Sequence, residues 1–117
     1  MDWLPFLNSK ERLSMLDFVD QASLKETLSS NQKVIVKFGA EWCSGCKAVA
    51  PYLDRLQKDN PQVKFVEVDA DTEDQLVLEY NVKNLPTLIS FTNGIKSGTL
   101  TGSGLGMKVL KDFTLKA

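Results

Sequence analysis

Two cysteines stand in the stretch Trp42-Cys43-Ser44-Gly45-Cys46, and the chain has no others. A thiolate can attack a disulfide, and a second thiol one helical turn away can then displace the product, so a pair at this spacing can carry two electrons. The same spacing is half of a zinc site. Zinc takes four ligands, and two cysteines with no histidine do not supply them, so no metal site is expected within the chain. A plainer reading is two inert cysteines in a core. Trp42 before them and Ser44-Gly45 between them favour an exposed junction instead.

The flanking sequence says which cysteine reacts. Val34 to Phe38 reads as a short strand, Gly39 to Trp42 as a loop, and Cys43 opens a helix running toward Asn60. The first N–H groups of a helix lack internal partners and its dipole is positive there, so a thiolate at Cys43 is stabilised over a thiol. Cys43 is the expected nucleophile and Cys46 the expected resolving thiol.

The remaining elements must hold that junction. Leu13 to Val19 is expected as a first edge strand, and Asp20 as the cap of a helix carrying Ala22, Leu24 and Leu28. Val34 to Phe38 is nearly all apolar, as a central strand covered on both faces should be, and Lys37 interrupts it. Pro51 falls inside the cysteine helix at the cost of one backbone hydrogen bond. Val63 to Val68 reads as the parallel neighbour, reached by a right-handed crossover. Glu73 to Tyr80 reads as a helix ended by Asn81, with Leu76, Val77 and Tyr80 on one face, and Thr87 to Phe91 as a strand. Asn93-Gly94 predicts a hairpin to Lys96 through Leu100, and a last helix from Leu105 to Leu115 is expected to turn Val109, Leu110 and Phe113 to the sheet. The fold class is α/β, a mixed sheet of about five strands flanked by about four helices.

Composition narrows the function. A chain of 117 residues makes one domain that buries roughly 65% of its unfolded surface. With 14 basic and 15 acidic residues, no excess charge is present to hold nucleic acid or an anionic membrane, so neither is an expected partner. No apolar run approaches the roughly 20 residues of a membrane span. Met1 to Leu7 lacks the basic start, long apolar stretch and small-residue cleavage site of a secretory signal, so a reducing, cytoplasmic setting is the expectation. There such a cysteine pair is catalytic or sensing rather than a staple.

Taken together, the motifs resemble the thioredoxin family. The resemblance rests on Ala40-Glu41-Trp42-Cys43-x-x-Cys46-Lys47, on Pro51, on Val68-Asp69-Ala70-Asp71, on Leu85-Pro86-Thr87, and on Asn93-Gly94 followed by Gly102. It runs from about Met15 to the end, which divides the chain into an N-terminal extension, 1–12, and a domain, 13–117. Trp3, Leu4, Phe6 and Leu7 of the extension are expected to do nothing specific. The resemblance implies a thioredoxin fold and a monomeric thiol-disulfide oxidoreductase that reduces or exchanges protein disulfides. It implies no organic cofactor, and re-reduction by a reductase protein or a small thiol. It also implies that Pro86 is cis and beside the cysteines, so that the Leu85 backbone pairs with an extended target segment like an added strand. Trp42 and Gly102 would complete the target surface; Lys47 would add positive potential there, though a solvated face is its plainer role.

Two residues depart from the family pattern. Thioredoxins usually carry Gly-Pro between the cysteines, and Gly45 here keeps an N–H that proline would remove. Another donor near Cys43 favours its thiolate, hence the reduced pair, and makes the couple more oxidising. Lys37 stands where thioredoxins usually have a buried aspartate credited with moving the proton of the second cysteine. It is expected either to transfer that proton as a neutral amine or, charged, to stabilise a Cys46 thiolate. Strand alternation and the family register put Glu67 beside it as the partner in a buried ion pair. These departures keep two other readings open: a binding module with vestigial cysteines, and a glutaredoxin-like dimer holding an iron-sulfur cluster on Cys43.

Overall fold

The apolar run Lys33–Gly39 becomes the central strand of a five-stranded sheet in the computed structural model, which describes residues 16–102 and 104–116. In chain order the strands are β1 (Asp17–Phe18), β2 (Lys33–Gly39), β3 (Val63–Asp69), β4 (Thr87–Thr92) and β5 (Ile95–Thr101), arranged β1-β3-β2-β4-β5. β1, β3 and β2 run parallel, β4 is antiparallel to β2, and β5 to β4. The helices are α1 (Gln21–Ser30), α2 (Ser44–Asp59), α3 (Asp74–Glu79) and α4 (Met107–Lys116).

Alternation along β2 and β3 divides the core between the two faces. Ile35, Phe65 and Leu88 pack with Val49, Leu53 and Leu56 of α2 and Leu110 of α4. Val34, Val36, Phe38, Val66 and Val68 pack on the other face with Leu24 of α1 and Leu76 of α3. Phe38 and Phe65 are fully buried, one on each face, and truncating either to alanine would cost about 3–5 kcal/mol. Lys37 and Glu67 share a face with Ile35 and Phe65, so the same alternation turns them toward α2.

Local signals set the ends. Asp20 caps α1 through a reciprocal box with Ser23, 2.9 Å in each direction. Asn81 follows α3 at φ 55°, and Asn93 and Gly94 turn the β4–β5 hairpin at φ 54° and 81°.

Two expectations need correction. The first edge strand is only Asp17–Phe18 among the described residues, because Asp20 begins the α1 cap directly after it; Leu13 and the extension 1–12 lie outside the described residues. On α4, Leu110 and Thr114 are buried and Phe113 is half-buried, whereas Val109 is 45% exposed. The helix meets the sheet along the Leu110–Thr114 line, and Val109, one residue earlier, is rotated away from it.

Candidate active site

Cys43 is the N-cap of α2. Its backbone is extended, and its Sγ accepts the N–H of Cys46 at 3.1 Å, the place a serine or aspartate oxygen usually fills. The Lys47 N–H bonds the Cys43 carbonyl at 3.2 Å. Cys43 and Cys46 form a disulfide with Cα atoms 5.3 Å apart. The expected exposed junction is therefore real for its surroundings but not for the sulfurs. Glu41, Trp42 and Ser44 are exposed, while Cys43 and Cys46 are 6% and 2% exposed and pack with Ala40 and Leu85. Leu85, far away in sequence, packs against this cluster.

Beneath the disulfide lies the charged pair. β2 and β3 place Lys37 directly beside Glu67; Nζ is 3.4 Å from Glu67 Oε2 and donates to the Cys46 carbonyl at 3.1 Å. Glu67 Oε1 is buried and has no hydrogen-bond partner among the described residues. A cavity of about 50 Å3 reaches this pair, lined among others by Phe18, Lys37, Gly39, Cys46, Lys47 and Glu67. Gly39 keeps it open: a Cβ there would sit 3.3 Å from both Cys46 Sγ and Glu67 Oε2.

The rim comes from three other segments. The Leu85–Pro86 bond is cis, as the family resemblance implies, and the Gly102 N–H donates to the Pro86 carbonyl at 3.1 Å. Gly102 has φ 112° and open space around a would-be Cβ. Trp42 is 69% exposed, and its Nε1–H donates to Asp71 Oδ2 at 2.9 Å. In sequence Asp71 is simply the last residue of Val68-Asp69-Ala70-Asp71; its role as the indole's acceptor depends on the turn after β3, where its N–H bonds Asp69 Oδ1 at 3.0 Å. Among the described residues, no cluster of three or more His, Cys, Asp or Glu could hold a metal ion.

The family model for thioredoxin matches residues 15–114. The chain belongs to the thioredoxin family. Thioredoxin of Mycoplasmoides gallisepticum is 36% identical over 80 residues, covering 68% of this chain and 80% of that protein. A solved thioredoxin structure from Plasmodium falciparum superposes with a TM-score of 0.81 at 32% identity, covering 86% of this chain and 98% of the other. The bifunctional thioredoxin reductase/thioredoxin of Mycobacterium leprae is 29% identical over 115 residues, which cover 97% of this chain and 25% of that protein. With the thioredoxin fold and the Cys43–Cys46 pair at the helix start, the chain is a thiol-disulfide oxidoreductase. No helix among the described residues is long and apolar enough to cross a membrane.

Proposed function

We propose that the protein reduces disulfides of target proteins, with Cys43 as nucleophile and Cys46 as resolving thiol. The observation that carries this reading is the seat of Cys43 Sγ at the N-cap of α2, where the Cys46 N–H meets it at 3.1 Å. A donor aimed at the sulfur and the positive end of the helix both favour a thiolate there. That thiolate attacks a target disulfide, giving a mixed disulfide and one target thiolate; Cys46 then attacks Cys43, closing the pair and releasing the second target thiol.

Leu85 packed against the cysteine cluster, Pro86 joined to it by a cis bond, Gly102 bonded to Pro86, and exposed Trp42 form the surface on which an extended target segment docks. Lys37 and Glu67 tune the buried side of the pair. A reductase protein or a small thiol returns the electrons, and the bifunctional relative from Mycobacterium leprae supports a reductase. A monomer in the cytoplasm, contributing to electron transport and redox homeostasis, fits the exchange of thiols in a reducing compartment.

The test is insulin-disulfide reduction in dithiothreitol, comparing the parent chain with Cys43→Ser and Cys46→Ser. Acceleration by the parent that both substitutions abolish is expected. An inactive parent chain would favour the binding-module reading, against which the retained dithiol at a helix N-terminus speaks.

A further inference from the structure

We propose that Glu67, rather than Lys37, takes the proton from Cys46 when the resolving thiol is activated, and that Lys37 is the positioning residue that holds the carboxylate in place. This role presupposes the dithiol reaction proposed above. Cys46 is 2% exposed, so near neutral pH a group inside the protein is better placed than bulk solvent to accept its proton. The carboxylate is the suitable acceptor. Glu67 Oε2 is engaged by Lys37 Nζ at 3.4 Å, but Oε1 is buried with no hydrogen-bond partner among the described residues, which leaves its lone pairs available for a proton.

Geometry joins this carboxylate to the sulfur. The positions of Cys46 Sγ and Glu67 Oε2, each 3.3 Å from a would-be Gly39 Cβ, put sulfur and oxygen across the glycine at no more than twice that distance. The cavity of about 50 Å3 that Glu67, Gly39 and Cys46 line is large enough for a water. A proton can therefore pass directly after a small side-chain shift, or through one water. Lys37 is placed differently. Its ammonium donates to the Cys46 carbonyl at 3.1 Å and lies 3.4 Å from the carboxylate as its counter-ion, and an ammonium has no lone pair to accept a proton.

In the resolving step Cys43 is bonded to a target sulfur. The Glu67 carboxylate takes the Cys46 thiol proton, and the thiolate attacks Cys43 Sγ. The Cys43–Cys46 bond forms as the Cys43–target bond breaks, and the electron pair leaves on the target sulfur. The proton then returns from Glu67, through the cavity, to that thiolate or to solvent. Over both steps the target disulfide gains two electrons and the cysteine pair loses two. Other charges face the same cavity: Lys37 from β2, Asp69 from β3, Glu41 from the loop and Lys47 from α2, while β1 contributes only Phe18.

Stopped-flow reaction of the reduced full chain with a chromogenic aryl disulfide separates the two steps. The first aryl thiolate is released as Cys43 attacks and the second as Cys46 resolves. Glu67→Gln is expected to slow the second phase about a hundredfold near pH 7 and leave the first unchanged. The deficit should close as the pH rises past about 9, where hydroxide removes a thiol proton without help. Glu67→Asp keeps the buried pair charged and serves if the glutamine variant does not fold; its shorter arm should slow the second phase severalfold, with the same convergence at high pH. A second phase at the parental rate in Glu67→Gln, or in Glu67→Asp where only that variant folds, overturns the assignment. So does a deficit that persists unchanged across pH, which marks a structural fault. Absence of the first phase in the parent chain would instead overturn the dithiol reading itself.

Discussion

Lys37 and Glu67 face each other across the paired strands β2 and β3, Nζ to Oε2 at 3.4 Å, and Lys37 also holds the Cys46 carbonyl at 3.1 Å. Both residues are buried, so each compensates a charge that solvent does not reach. Lys37→Met is expected to cost about 3–5 kcal/mol, because it leaves the carboxylate alone. Lys37→Met/Glu67→Leu removes both charges and should regain most of that loss. Urea unfolding of the single and double variants measures it. Losses that simply add in the double variant would mean that the two residues do not act as a pair.

The second prediction concerns the potential of the Cys43–Cys46 couple. An ammonium bonded to the Cys46 backbone favours thiolate over disulfide, as does the donor at Cys43 Sγ. Equilibration with glutathione buffers should place the couple above the thioredoxin figure of about −270 mV, each 30 mV corresponding to about 1.4 kcal/mol. A potential at or below that figure would contradict the reading.

Trp42 supplies a third. Its exposed indole is held by Asp71 at 2.9 Å, so Asp71→Ala frees the ring without touching the sulfurs. Stability should fall by less than about 1 kcal/mol, since the bond is exposed. The KM for insulin should rise about threefold, as a lost contact of that strength allows, while reduction of a small aryl disulfide keeps its rate. Equal losses on both substrates would place the effect in the chemistry rather than in docking.

Asp20 gives a pH dependence away from the site. Hydrogen bonds from the backbone and then the side chain of Ser23 hold its carboxyl below the ordinary aspartate value. A carboxyl whose folded value is lowered stabilises the fold above its unfolded value, and that contribution is lost as the pH falls through the folded value. Asp20→Asn keeps a capping oxygen but does not titrate. The stability gap between parent and variant at neutral pH should therefore shrink as the pH drops below the ordinary value of 3.8. Thermal melts across that range check it, and a gap that widened on acidification would contradict the sign.

Much of the architecture could be read from residue types. Asp20 announced α1, Asn93-Gly94 the hairpin, and the apolar stretch around Val34 to Phe38 the central strand, because each is a local steric or hydrogen-bonding preference. Cys43 at the start of α2 was legible for the same reason. Val109 was not: helical spacing names two neighbouring stripes, and only packing on the sheet decides which one is covered.

The site itself divides along the same line. Two thiols at a strand-to-helix junction, a lysine inside an apolar strand and a glutamate on its neighbour are facts of sequence; they pointed to the dithiol chemistry, and with the register of the resembling family to the ion pair. The packing of Leu85 against the cysteine cluster, the bond of Asp71 to the Trp42 indole, the buried Glu67 Oε1 without a partner among the described residues and the gap that Gly39 leaves toward Cys46 were decided only by the tertiary structure. The reason is physical. A reactive group depends on burial and on partners from distant segments, and these exist only once β2, β3 and α2 have packed together.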